Sequence, residues 1–198
     1  MKCSVRLWLV LVCIGVACVS NSVAAQGCGS PSPSAAGGRL YEGLNVRTLS
    51  RQELNIIKGL LNKLKGRSKG TVVEEFCDDG ANAKDSHREG TVVLMGDYRL
   101  DGDFDLVGDI SVDRNKRREI VRIILKSDRI RLDRDTKEGD VEILSLSNSE
   151  LTLLHKSFSH NGVQVGRVQE RLISITPSQI SFLVFHNGIQ TSNSNWRF

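Results

Sequence analysis

The sequence predicts a mainly β fold, an antiparallel meander of nine or ten strands preceded by one amphipathic helix. Three observations carry this reading. From Thr71 onward apolar and polar residues alternate with a period of two, most clearly between Asp103 and Val112. Turn residues interrupt that alternation at short intervals, and Asn161-Gly162 and Asn187-Gly188 are the pairs favoured in tight hairpins. Ahead of Thr71 the apolar period is helical, over residues 50–65. Such a meander closes into a barrel or stacks as a sandwich. At 198 residues, 39% hydrophobic and 25% charged, the chain is long and apolar enough for one packed domain.

The elements follow in order. Lys2 and Arg6 precede the apolar run from Leu7 to Val19, then Ser20-Asn21-Ser22, then the small residues Val23-Ala24-Ala25. This is the layout of a secretory signal, with the mature chain starting at Gln26. The apolar run would rise about 20 Å as a helix, short of a hydrocarbon core of roughly 30 Å. No other window of the chain is apolar enough to span, so no transmembrane segment is expected after cleavage. Export to a periplasmic or extracellular space follows.

Of the five cysteines, Cys3, Cys13 and Cys18 lie in the signal, leaving Cys28 and Cys77 to pair as a disulfide in an oxidising compartment. The alternative is a lipid anchor on Cys18 or Cys28 and an outer-membrane lipoprotein, although neither cysteine has Leu or Val three residues ahead. Residues 26–39 read as a flexible Ser/Pro/Gly linker with no means of packing, and 40–198 as the single folded domain.

Ser50-Arg51-Gln52-Glu53 is a capping box that starts the helix. Leu54, Ile57, Leu61 and Leu64 form its apolar stripe, widened by Ile56 and Leu60, and Gly66 ends it. Strands are expected over 71–77, 91–100, 104–112, 119–126, 129–132, 141–146, 151–158, 163–175, 180–185 and 190–198. The turns are read at Asp113 to Arg117, Lys137 to Asp140, Ser147 to Ser149, His160 to Gly162, Pro177-Ser178 and Asn187-Gly188. Between Asp103 and Val112, Phe104, Leu106, Ile110 and Val112 share the core face, while Asp103, Asp105, Val107 and Asp109 share the solvent face.

A helix running into Leu64-Lys65-Gly66-Arg67-Ser68-Lys69-Gly70-Thr71-Val72 resembles the start of the first strand in lipocalin-like, or calycin, barrels, with Ser68 where those proteins commonly carry Trp. The segment from Val141 to Leu153, with Glu150-Leu151-Thr152-Leu153, is similar to small bacterial lipocalin-like domains. The resemblance covers about residues 64–198. It implies an antiparallel up-and-down β barrel enclosing a small hydrophobic ligand, and no enzyme mechanism.

A ligand inside such a barrel would be lined by every second residue. The candidate lining is Phe104, Leu106 and Ile110 on one strand and Phe182 and Val184 on another, with His155 and Arg167 as polar contacts for a head group. The alternative is a non-catalytic structural or protein-interaction domain with a filled core. Other chemistries lack their context. Gly66-Arg67-Ser68-Lys69-Gly70 matches a nucleophile elbow in letters, but here the helix precedes the strand. Asp101, Asp103 and Asp105 lack the Gly and Glu that a calcium loop needs at its sixth and twelfth places, which hold Leu106 and Val112. His87, His155, His160 and His186 show no metal-ligand spacing. No phosphate loop or dinucleotide fingerprint occurs, so no cofactor is expected. Lys and Arg number 27 against 23 Asp and Glu, and with Lys2 and Arg6 removed by cleavage the balance gives no case for nucleic acid.

Overall fold

A computed structural model describes residues 28–77, 86–126, 128–134, 137–161 and 164–198. The segment read as a signal, its expected cleavage site and Cys18 lie outside the described residues. A one-turn helix α1 (Pro33–Ala36) and a longer helix α2 (Arg51–Lys63) precede ten strands. These are β1 (Gly66–Phe76), β2 (Ser86–Tyr98), β3 (Phe104–Val112), β4 (Asn115–Leu125), β5 (Ile130–Arg134), β6 (Lys137–Leu146), β7 (Leu151–Asn161), β8 (Gln164–Thr176), β9 (Gln179–His186) and β10 (Ile189–Arg197). Every consecutive pair is antiparallel, and β1 pairs with β10, which closes the sheet into an up-and-down barrel. No helix among the described residues is long and apolar enough to cross a membrane.

The helix α2 forms where its capping box begins it. Glu53 N donates to Ser50 Oγ at 3.2 Å, and Ser50 N donates to Glu53 Oε2 at 2.9 Å. Its stripe of Ile57, Leu60, Leu61 and Leu64 is buried in one cluster with Phe104, Ile123, Leu151, Ile175 and Ile180 from the strand ends beneath it. The helix is fastened there by Lys63 Nζ donating to Asn148 O at 2.9 Å and Tyr98 Oη to Lys58 O at 3.3 Å. It therefore stops one end of the barrel. Each fully buried aliphatic side chain contributes roughly 1.5–3 kcal/mol to that seal.

Three turns differ from expectation, and in one of them, read at His160 to Gly162, His160 and Asn161 already belong to β7 and pair with Val165 and Gln164, while Gly162 lies outside the described residues. Asp113 to Arg117 is not one long turn, since Asp113 and Arg114 alone make it, at φ 49° and 66°, and Asn115 already pairs with Val112. A two-residue turn of this hand matches the strand twist, so the ladder extends almost to the hairpin tip. Lys137 to Asp140 is strand, not turn. Gly139 is needed there because a Cβ would collide with the His155 imidazole lying over it. At Asn187-Gly188 the turn is as expected, with φ of 49° and 81°.

The largest difference is at the N-terminus, where order starts well before Leu40. Residues 28–45 form a strap on the outer face of β6–β10 and fold against it. Ser32 N donates to Gly188 O at 2.8 Å, Gln190 N to Ser30 O at 3.0 Å, and Pro31 bridges to Ile189. Ser32 and Ser34 are buried. Cys28 is bonded to Cys77, with Cα atoms 5.5 Å apart.

Beneath the strap lies a second apolar cluster, Leu154, Leu172, Leu183 and Phe185, with Leu44 packed on it. Lys156 Nζ donates to the carbonyls of Arg39, Leu40 and Glu42 and stands 3.3 Å from the fully buried Glu170. Glu142 takes Arg39 and the Asn45 amide. Backbone and charge bonds hold this segment, which explains why small uncharged residues can pack without an apolar stripe.

Candidate functional site

The barrel interior changes character along its axis. Nearest α2 it is apolar. Phe104, Leu106 and Ile110 point inward and are buried in the main cluster, as is Phe182. The Asp105 and Asp109 side chains point outward, to Arg122 and Arg118 at 2.7 Å each. Asp103 departs from the expected solvent face. It is buried and accepts the Leu125 amide at 3.2 Å, which ties the β2–β3 loop to the end of β4. Asp101 caps its own turn by accepting Asp103 N at 3.2 Å, and that bond holds its carboxyl below its ordinary pKa.

Above this layer lies Trp196. It is fully buried, its ring reaches from β10 across to β3, and Gly108 has no side chain because that ring occupies the space. Phe182 meets it at 4.7 Å between ring centroids. Ten strands enclose a wider lumen than eight, and the indole spans what aliphatic side chains alone would leave open. Four of the five apolar residues expected to line a cavity thus belong to a packed core. Val184, the fifth, is half-buried one step farther from α2.

Beyond Trp196 polar and charged residues join the apolar ones at the inward positions. Glu74 on β1 is buried inside the barrel, and both its oxygens face the Arg117 guanidinium from β4. Glu119 holds Arg117 Nε at 3.0 Å. Burial opposes the charge on Arg117, but its hydrogen bonds to Glu74 and Glu119 outweigh that and leave its pKa raised. Ser194 lies 3.5 Å from Glu74 and accepts the indole N–H of Trp196 at 3.1 Å, so this layer rests directly on the core.

On the opposite wall, register places His155 beside Arg171, and Arg171 beside Val184. His155 is half-buried, and burial followed by the Arg171 charge pushes its pKa below the ordinary value. Of the two polar residues expected to contact a ligand, His155 therefore faces inward next to the core. Arg167 shares the inward face of β8 but sits exposed at the rim, and Arg171, one turn of the pleat deeper, occupies the place expected of it. His186 is also exposed at the rim, with its Nε2 3.1 Å from Gln169 Nε2.

Sequence reasoning missed Arg171, Glu74, Arg117 and Glu119. For Arg171 a signal existed, because it continues the alternation of Ile175 and Ile173. Elsewhere, Ser68 lies exposed on β1 with no helix start after it. An outer groove of about 480 Å³ on β2–β4 is lined by Thr91, Lys116 and the Asp109–Arg118 pair.

No protein-family model matches the chain, and no curated protein is similar to it. Among solved structures, a redesigned β barrel, mFAP1, determined with DFHBI bound, aligns over 70% of this chain and 98% of its own. Identity is 10% and the TM-score 0.32, a likeness that adds nothing to the barrel already described.

Proposed function

We propose that this protein is an exported, non-catalytic binding barrel of lipocalin-like type, which takes a small amphiphilic molecule at the end opposite α2. The observation that carries the reading is the polar layer turned inward above Trp196. Burying Glu74 inside a barrel beside the more exposed Arg117 adds little stability, since desolvation of the carboxylate offsets their attraction. Ionisable groups held at such a place are candidates for a functional site. The hydrophobic ligand expected deep among Phe104, Leu106 and Ile110 is thereby moved outward, to Val184, His155 and Arg171. Export is supported by the three-part leader and by a Cys28–Cys77 bond, which reducing compartments would not preserve. That bond also takes the sulfur that a lipid anchor on Cys28 would need.

A second reading has its own observation. Trp196 and Phe182 fill the barrel centre, as a structural or interaction domain with a solid core would require. Native mass spectrometry of protein recovered from its own host separates the two. A co-purified small molecule, lost from Val184→Trp protein that still folds, is the result expected. Bare protein from every preparation would favour the filled core. The same spectra test processing. A chain that starts near Gln26 supports simple cleavage, and an acyl mass on Cys18 would replace it by anchoring.

A further inference from the structure

On the outside of the barrel, positive charge gathers on one face. The outward positions of β1–β4 form three rows in register: Arg67, Met95, Val107 and Ile120; Lys69, Val93, Asp109 and Arg118; Thr71, Thr91, Ser111 and Lys116. Two cations stand on β1 and two on β4, and Asp109 is the only acid in these rows. Arg118 holds that acid at 2.7 and 3.1 Å, which leaves Arg67, Lys69 and Lys116 in surplus. Among the described residues, Lys69 and Lys116 take part in no ion pair, and the hydroxyls of Thr71, Thr91 and Ser111 make no side-chain hydrogen bond. The acids flanking the rows are engaged elsewhere. Toward α2, Asp97 meets Lys65 and Asp105 meets Arg122; toward the other end, Glu75 and Glu89 lie beside His87 and Asp113 beside Arg88. The groove of about 480 Å³ noted above runs along Thr91, Ser111, Lys116 and Arg118. The strap lies on β6–β10 and not on this face.

We infer that this outer face docks a linear acidic polysaccharide. Its anionic groups lie on Arg67 and Lys69 at one side and on Lys116 at the other, and its hydroxyl-bearing part crosses β2 and β3. Adjacent strands are about 4.8 Å apart, so β1 and β4 stand roughly 14 Å apart, a separation suited to two anions on one chain rather than to a single group. Between them, Thr91 and Ser111 exchange hydrogen bonds with sugar hydroxyls, while Asp109 cancels the attraction for an anion at the centre. A continuous run of anions is thereby disfavoured. Among the described residues, the outward positions of β1–β4 also hold no Phe, Tyr or Trp. Single-stranded nucleic acid stacks its bases on such rings, and helices that lie on a bilayer bury them at its surface. The face is outside the barrel and separate from the rim site proposed above.

Binding of the folded chain to immobilised chondroitin sulfate tests this. The protein should be held at physiological salt, be released as salt rises, and ignore uncharged dextran. Lys69→Gln combined with Lys116→Gln should weaken binding about tenfold without moving the melting temperature, because both side chains are exposed and unpaired. Lys58→Gln, which changes an exposed lysine on α2, should leave binding as it was. Thr91→Val removes a hydroxyl and no charge, and should cost about threefold. No binding, or equal loss from Lys58→Gln and the double variant, would overturn the assignment, and an unaffected Thr91→Val would remove the sugar from it. Poly-L-glutamate, single-stranded DNA or phosphatidylglycerol vesicles that bind as tightly, with the same dependence on Lys69 and Lys116, would overturn it in favour of that partner.

Discussion

The two ends of the barrel are closed by different physics. At the α2 end, Ile57, Leu60, Leu61 and Leu64 seal the lumen with aliphatic contact. At the other end the inward positions hold Glu74, Arg117, Glu119, Arg171 and His155, groups whose burial costs free energy unless each is paired. The first end is what folding requires. The second is not, and the site proposed above lies where stability is not being maximised. The strap sharpens the contrast from outside the barrel, because Lys156 and Glu170 are also buried charges. There, however, the lysine is saturated by three carbonyls of the chain that covers it.

Changes at the two ends should therefore differ in size. Phe104→Asp puts a carboxylate into the sealed half and should leave no folded protein, read by circular dichroism. Asp105→Asn, one residue on and facing Arg122, should shift stability by no more than about 1 kcal/mol. If the second change proved the damaging one, the inward and outward faces would be exchanged.

Next in size, Lys156→Met strands Glu170 and should cost about 3–5 kcal/mol in urea unfolding. Adding Glu170→Leu should recover most of that loss. No recovery would mean that the strap depends on the charges themselves. Removing the disulfide with Cys28→Ser and Cys77→Ser should cost about 2–4 kcal/mol, since the bond closes a loop across a sequence separation of 49 residues. An unchanged midpoint would show that the strap is held by its hydrogen bonds alone.

The smallest effect is a pH dependence at the rim. The His155 pKa is depressed in the folded state, so the folded chain binds fewer protons there than the unfolded one. Its contribution to stability should fall as pH drops below 6.5, the ordinary value. Exposed His87, raised chiefly by its hydrogen bond with Glu89, acts in the opposite sense. His155→Gln should flatten the acid side of the melting-temperature profile, and an unaltered slope would place His155 in solvent.

What the sequence made legible was whatever a local period can encode. The capping box at Ser50 and the alternation from Phe104 to Val112 each state a direction within a few residues, and both directions hold. The strap was not legible, because Ser30 and Ser32 are held by backbone bonds to a hairpin more than 150 residues later. Gly139 looked like a turn because its reason lies across the ladder, in the His155 ring. Glu74 looked like Glu75 beside it. Only closure of the barrel, which brings β4 opposite β1, reveals that one of the two meets Arg117 inside and the other faces out.

The sharpest division between the ends can be read by nuclear magnetic resonance on labelled protein titrated with 8-anilinonaphthalene-1-sulfonate. Shift changes should gather on His155, Gln169, Arg171 and Val184, with Ile57, Leu61 and Phe104 unmoved. Changes centred on Ile57, Leu61 and Phe104 instead would place the occupant in the half described here as sealed, and would contradict a binding site at the rim.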